Sequence, residues 1–181
     1  LLLAQQPVWT GIGLGLTATV AAWLKVPSGL IGLVASPWAG HMAARSGARW
    51  TAVLGTSIIL GGWLAFAVLH GSVAQLVVCS LVCTLGGAIT YTAIPNLIVE
   101  VAPHERTSEL NGVSHVCRTV GTAIGTQVVT ILLATQSAVG PDGAVSRYPT
   151  PSSFMLAFFA VIAAAAISVP LALALPRRRS A

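Results

Sequence analysis

Apolar residues run along this chain in long, nearly unbroken blocks, without the alternation of a strand or the half-polar stripe of a water-facing helix. Five blocks predict transmembrane helices at about 23–43, 50–69, 73–94, 110–134 and 154–175. At 1.5 Å per residue each can cross a hydrocarbon core of about 30 Å. A lead-in broken by Gly11, Gly13 and Gly15 precedes the first block, where Thr17 or Thr19 caps a helix long enough to need tilt, a bend at Pro27 or a start outside the membrane. His70-Gly71-Ser72 turns the second block tightly into the third, where Pro95 and Asn96 disturb the helix. A polar stretch from Glu100 to Glu109 leads into the fourth, and a Gly/Pro/Ser-rich loop over 137–153 into the fifth, which stops at Pro176 and three arginines.

Composition names the solvent of these helices. Charged residues make up 7% of the 181, against roughly 25% in a soluble domain, and the mean hydropathy is +0.87. A soluble chain would have to hide five apolar helices in a larger complex and leave its charge pattern to accident. The net charge of +5 does not point to nucleic acid, because the basic residues sit in short runs between the apolar blocks. Arg45, Arg49, Arg106, Arg177, Arg178 and Arg179 fall on one side, Lys25 and Arg147 on the other, which orients the triple-arginine end toward the cytoplasm. Trp23 and Trp50 lie near expected interfaces, and Trp38 and Trp63 read as packing residues. Cys79, Cys83 and Cys117 lie in apolar stretches as small hydrophobes, with spacing for neither a disulfide framework nor a metal. The opening Leu1-Leu2-Leu3-Ala4 lacks signal-peptide grammar and reads as the continuation of a longer polypeptide.

The fourth block carries the candidate chemistry. Asn111, His115, Arg118, Thr122 and Gly125 recur at spacings of 4, 3, 4 and 3, one side of a helix. Arg118 sits roughly 15 Å inside that helix, where insertion costs about 2.5–3.5 kcal/mol, so it either lines a cavity or gate or is an anchor packed on a neighbouring helix. His115 offers a charge change near neutral pH or a structural hydrogen bond. Asn111 is a stripe member or a helix-start cap. Gly121 and Gly125 form a GxxxG face for close helix packing, a role open also to Gly55, Gly61, Gly62, Gly86, Gly87 and Gly112. Pro95 frees a carbonyl beside Asn96, which marks a gate or a helix end. Glu100, Glu105, Glu109 and Asp142 all fall in connections or at a helix edge, leaving no carboxylate at mid-membrane. No catalytic constellation, metal set or cofactor motif is present in the sequence.

Gly40-His41-Met42-Ala43-Ala44-Arg45-Ser46-Gly47-Ala48-Arg49 is, on composition, a basic turn. Its spacing resembles the cytoplasmic loop signature G-x-x-x-D-R-x-G-x-R of the major facilitator superfamily, matched at Gly40, Arg45, Gly47 and Arg49, with Ala44 where the family commonly has Asp. The segments Ala22 to Leu30, Ala93-Ile94-Pro95-Asn96-Leu97 and Asn111 to Gly125 look like the carboxyl half of bacterial drug-resistance permeases, especially the fourteen-span drug:proton antiporters. The resemblance covers nearly the whole chain. It implies an all-α multi-pass membrane protein, with residues 1–181 as a partial carboxyl-terminal domain: five helices of a six-helix half, Leu1 to Gln6 ending the largely missing first.

It further implies a non-enzymatic transporter in the bacterial inner membrane, exporting small amphipathic organic compounds against protons by alternating access. Its partners would be the missing amino-terminal half, the organic substrate, protons and lipid. An importer of the same fold is the first alternative, and a non-transporting scaffold or truncated remnant the second. The proton-binding acids would lie in the missing part, unless His115 or a different ion supplies the coupling.

Overall fold

Thr17 starts the first helix: its side chain accepts the Val20 backbone N–H at 3.5 Å, and Thr19 lies inside the helix. In the computed structural model, which describes residues 5–7, 14–69, 71–135, 137–139 and 147–175, this helix, α1, is Ala18–Trp23. The triple-arginine end, Gly11, Gly13, His70 and Asp142 lie outside the described residues. The chain breaks at Leu24-Lys25 and resumes as α2, Val26–Ser46, with Pro27 in its first turn. Proline suits that position because the first helical N–H groups have no partner in the helix. Of the three ways to fit the long first segment, a break in the helix is present, and it falls just before Pro27 rather than at it.

Gly47 joins α2 to α3, Ala48–Val68, in one residue, with φ at +87°, a conformation that favours glycine. At the far end Ser72 and Gln75 form a reciprocal cap at the start of α4, Val73–Val101. This helix corrects the expected end near residue 94. Pro95 lies inside it, costing only the N–H that would meet the Tyr91 carbonyl, and the turns on either side hold the helix together. Asn96 Nδ2 donates back to the Thr92 carbonyl at 2.8 Å. Pro37 and Pro170 are likewise interior to helices.

A 3-10 turn, His104–Arg106, leads into α5, Thr107–Ala134. Within the expected loop a short antiparallel ribbon pairs β1, Ser137–Val139, with β2, Arg147–Pro149, and α6 follows as Pro151–Ala174. With α1 and α2 taken as one segment, five helices among the described residues are long and apolar enough to cross a membrane.

The packing is that of a protein dissolved in lipid. The buried apolar side chains are mostly alanines, such as Ala39, Ala48 and Ala93, while Leu33, Val34, Trp38, Phe159 and Ile167 are exposed. Lipid is as apolar as leucine, so helices gain little by hiding large side chains and more by approaching closely through small ones. At the tightest approach a Cβ on Gly55 would lie 2.8 Å from the Thr90 backbone nitrogen, and one on Gly86 2.8 Å from the Gly55 carbonyl oxygen. Gly62 is pressed as closely on Cys83.

Two core clusters mark the ends of the bundle. One joins Ala21, Leu76, Leu133, Phe154 and Ala157, with Leu14 and Leu16 against it. The other joins Ala52, Ala93 and Ala172 beside the Gly47 turn.

Candidate functional site

Helix α5 is the least buried of the spans. Its outer face, Val113, Val116, Val120, Ile124, Val128 and Ile131, is apolar and exposed. Its opposite face carries His115, Arg118, Thr122, Thr126 and Thr130 at spacings of three or four. Thr122, Thr126 and Thr130 each donate to the carbonyl four residues back, at 2.9, 2.8 and 2.9 Å, and Thr119 does the same to His115. The hydroxyl protons are thereby satisfied while the oxygen lone pairs stay free to accept.

This threonine face forms one wall of a cavity of about 650 Å³, the size of a small-organic-molecule site. Across from it stand Trp63 and Phe66 of α3 and Phe158 of α6, whose ring centroids lie 5.8 to 6.2 Å apart. Such tilted contacts fix the rings as a rigid apolar surface. Ser80 and the exposed Lys25, at the α1–α2 break, complete the polar part of the lining.

Of the residues singled out in the sequence, Thr122 and Gly125 line this cavity. Arg118 stands one turn away, its Nη2 2.7 Å from His115 Nδ1 and its Cζ 3.8 Å from the Tyr91 ring centroid of α4. This cation–π contact joins two helices that touch sparsely elsewhere. Asn111 lies in the second turn of α5 and donates to the Thr107 carbonyl at 3.1 Å, so it is not the cap; that position falls at Arg106. Asn96 is on α4, bonded within its own helix. A Cβ at Gly121 or Gly125 would meet nothing within 4 Å, and the same holds at Gly61, Gly87 and Gly112.

The basic turn is built from backbone contacts. The Arg49 side chain donates to the Leu173 carbonyl, one of the carbonyls left without a helical partner at the end of α6, and its Cζ lies 5.9 Å from the Trp50 ring centroid. Glu100 Oε1 accepts the Ala48 N–H at 3.1 Å, placing an acid at the start of α3. Arg45 is exposed in the last turn of α2, and Gly40 meets only the Thr92 methyl, at ordinary contact distance. Among the described residues no group of three His, Cys, Asp or Glu side chains is placed to hold a metal.

Tyr91, Lys25, the aromatic cluster, Thr126 and Thr130 were missed in the sequence reading. Continuing the four-residue repeat past Gly125 finds the two threonines, and counting back four from Pro95 finds Tyr91. The aromatic cluster has no such signal, because its members come from separate helices.

Residues 2–181 match the sequence model of the Major Facilitator Superfamily. The chain belongs to that superfamily. Members of the superfamily are transporters rather than enzymes, and the chain is a multi-pass membrane protein whose spans are helical. It is also similar to the multidrug resistance protein Stp of Mycobacterium tuberculosis, 28% identical over 121 residues in two strains. That match covers 66% of this chain and 22% of the relative, so the chain spans well under two thirds of the relative's length. No solved structure matches significantly.

Proposed function

We propose that this superfamily chain is the carboxyl-terminal part of a secondary transporter that exports small amphipathic organic compounds in exchange for protons. The observation that carries the reading is the cavity between the threonine face of α5 and the Trp63-Phe66-Phe158 cluster. An apolar body gains dispersion and burial against the rings, while hydroxyl, amine or amide groups on the same compound donate to the threonine oxygens. The likeness to a protein named for multidrug resistance favours this substrate class.

In this reading the missing amino-terminal half closes the open side of the cavity, and the two halves rock about it in the bacterial inner membrane. The basic turn at Arg45 and Arg49 and the triple-arginine end lie in the cytoplasm, as the excess of arginine on that side favours. The cavity then belongs to the outer part of the bundle, with Arg118 beneath it. Architecture does not set the direction of flux, and import by the same fold is the competing outcome.

A second reading is favoured by the path of the chain. Leu14 and Leu16 pack on the same cluster that contributes Leu76, Leu133 and Phe154 to the cavity wall. A helix preceding them would run beside the cavity and fill part of it.

The test is dye transport by the full-length protein in inverted vesicles. Export by proton exchange predicts uptake that an uncoupler abolishes, and uptake indifferent to the gradient overturns it. Cysteine cross-linking of the preceding helix to position 126 separates the readings: a cross-link that substrate does not block favours the helix seat.

A further inference from the structure

Arg118 is a permanent cation, and its guanidinium can only donate hydrogen bonds. Its 2.7 Å contact with His115 Nδ1 therefore needs a lone pair on that nitrogen, which the imidazole has only when neutral and protonated at Nε2. A second proton occupies the lone pair and sets a positive charge against the guanidinium. The contact and the charged ring exclude one another.

The same guanidinium lies on the Tyr91 ring, so the imidazole of α5 holds the group that bridges α5 to α4. Around the pair, Val116, Cys117, Thr119 and Val120 are exposed, and α5 has little else to fix it at this depth. The other ionisable side chains on α4 are Cys79, whose Sγ contacts the Leu69 carbonyl, Cys83, packed against Gly62 of α3, and Glu100, engaged at Ala48. Helix α6 carries none. The turn before α5 contributes His104, Glu105 and Arg106, and α5 itself Glu109, about 9 Å along the axis from His115, and Cys117, which lies on its lipid face. Among the described residues, then, no carboxylate stands beside His115 to absorb the added charge.

We infer that His115 is the proton-binding site of the exchange cycle. A proton taken up at Nδ1 expels Arg118 from the imidazole, weakens its hold on Tyr91 and frees α5 to part from α4; loss of the proton restores the bridge. The inference rests on the proton-coupled transport proposed above, and it locates the coupling in this half of the molecule.

The experiment uses the full-length transporter in proteoliposomes, with spin labels at Val78 on α4 and Ile131 on α5 after Cys79, Cys83 and Cys117 are replaced by alanine. The expected result is a distance distribution that shifts between pH 8 and pH 5, with an equilibrium change of roughly 5–150-fold. His115→Asn, whose amide oxygen accepts as Nδ1 does but does not titrate, should hold the pH 8 distribution at both pH values. Tyr91→Leu should give the low-pH distribution throughout, and Tyr91→Phe, which keeps the ring, should behave as the parent. In transport, His115→Asn should lose gradient-driven export while keeping substrate counterflow, which needs no net proton movement. Export by His115→Asn at the parent rate, or a pH shift that survives the substitution, overturns the proposal and leaves the transporter reading standing. A parent protein that moves no substrate overturns that reading instead, while the spin-label result still decides whether His115 controls the helices.

Discussion

Glu100, in the last turn of α4, accepts the backbone N–H of Ala48 at 3.1 Å and so caps a helix to which it does not belong. In the loop signature that this chain resembles, an acid precedes the first arginine, and here Ala44 stands in its place. An acid reaches the start of α3 from a different helix, and with it one of the N–H groups that a helix N-terminus leaves without a partner. The tie links α4 to the α2–α3 turn at the end of the bundle where Arg49 holds the end of α6.

Removing that cap has a predictable scale. Glu100→Ala should destabilise the chain by about 1 kcal/mol, the usual worth of a helix cap, and Glu100→Gln by less, because the amide keeps an acceptor but not the charge. Thermal unfolding in detergent checks this: no loss with Glu100→Gln would mean that the charge contributes nothing, and equal losses from both substitutions would mean that the whole effect lies in the charge.

The glycines divide into two groups that the sequence alone does not separate. Gly55→Ala and Gly86→Ala each drive a methyl against backbone of the opposite helix, and should cost roughly 1–3 kcal/mol as α3 and α4 are forced apart. Gly121→Ala and Gly125→Ala enter open space and should leave the stability of this chain unchanged. If in the full-length transporter the alanines at 121 and 125 lower stability or transport, the small face of α5 serves contacts beyond this chain; an unchanged protein removes that packing role.

What was legible in the sequence follows from what each signal depends on. The five spans could be read because hydropathy is a local sum. The end of α4 was misplaced because Pro95 removes one hydrogen bond without breaking the flanking turns. The polar stripe was read as far as Gly125, since a helix face is a matter of spacing. Its meeting with Trp63, Phe66 and Phe158 depends on helices brought together across the fold, as does the Arg118–Tyr91 contact. Gly55 and Gly121 look alike in sequence; the partner opposite decides which one is packed.

Cys117 lies on the apolar outer face of α5, Cys83 is half-buried against Gly62, and Cys79 is buried. A lipid-soluble maleimide should therefore label Cys117 well before the other two, and a charged maleimide added from either side should label none of them readily. Rapid labelling of Cys117 by the charged reagent would place that face in water and reverse the orientation of α5.

The threonine ladder gives the sharpest test of how the cavity handles substrates. Thr126 already donates its hydroxyl proton to the Thr122 carbonyl at 2.8 Å, so it has only lone pairs left to offer a compound in the cavity. Thr126→Val keeps the size and branching of the side chain and removes the oxygen. Helix stability should change by no more than about 1 kcal/mol, because the carbonyl it served retains its helical partner. Transport should fall for compounds that present an amine or hydroxyl donor, by roughly the 0.5–1.5 kcal/mol of one net hydrogen bond, or about 2- to 12-fold, and hold for compounds with acceptors alone. Phe158→Ala should instead weaken both classes, since it removes apolar wall rather than an acceptor. Competition assays with matched donor-bearing and donor-free dyes distinguish the two patterns, and equal losses for both dyes with Thr126→Val would exclude the threonine oxygens from recognition.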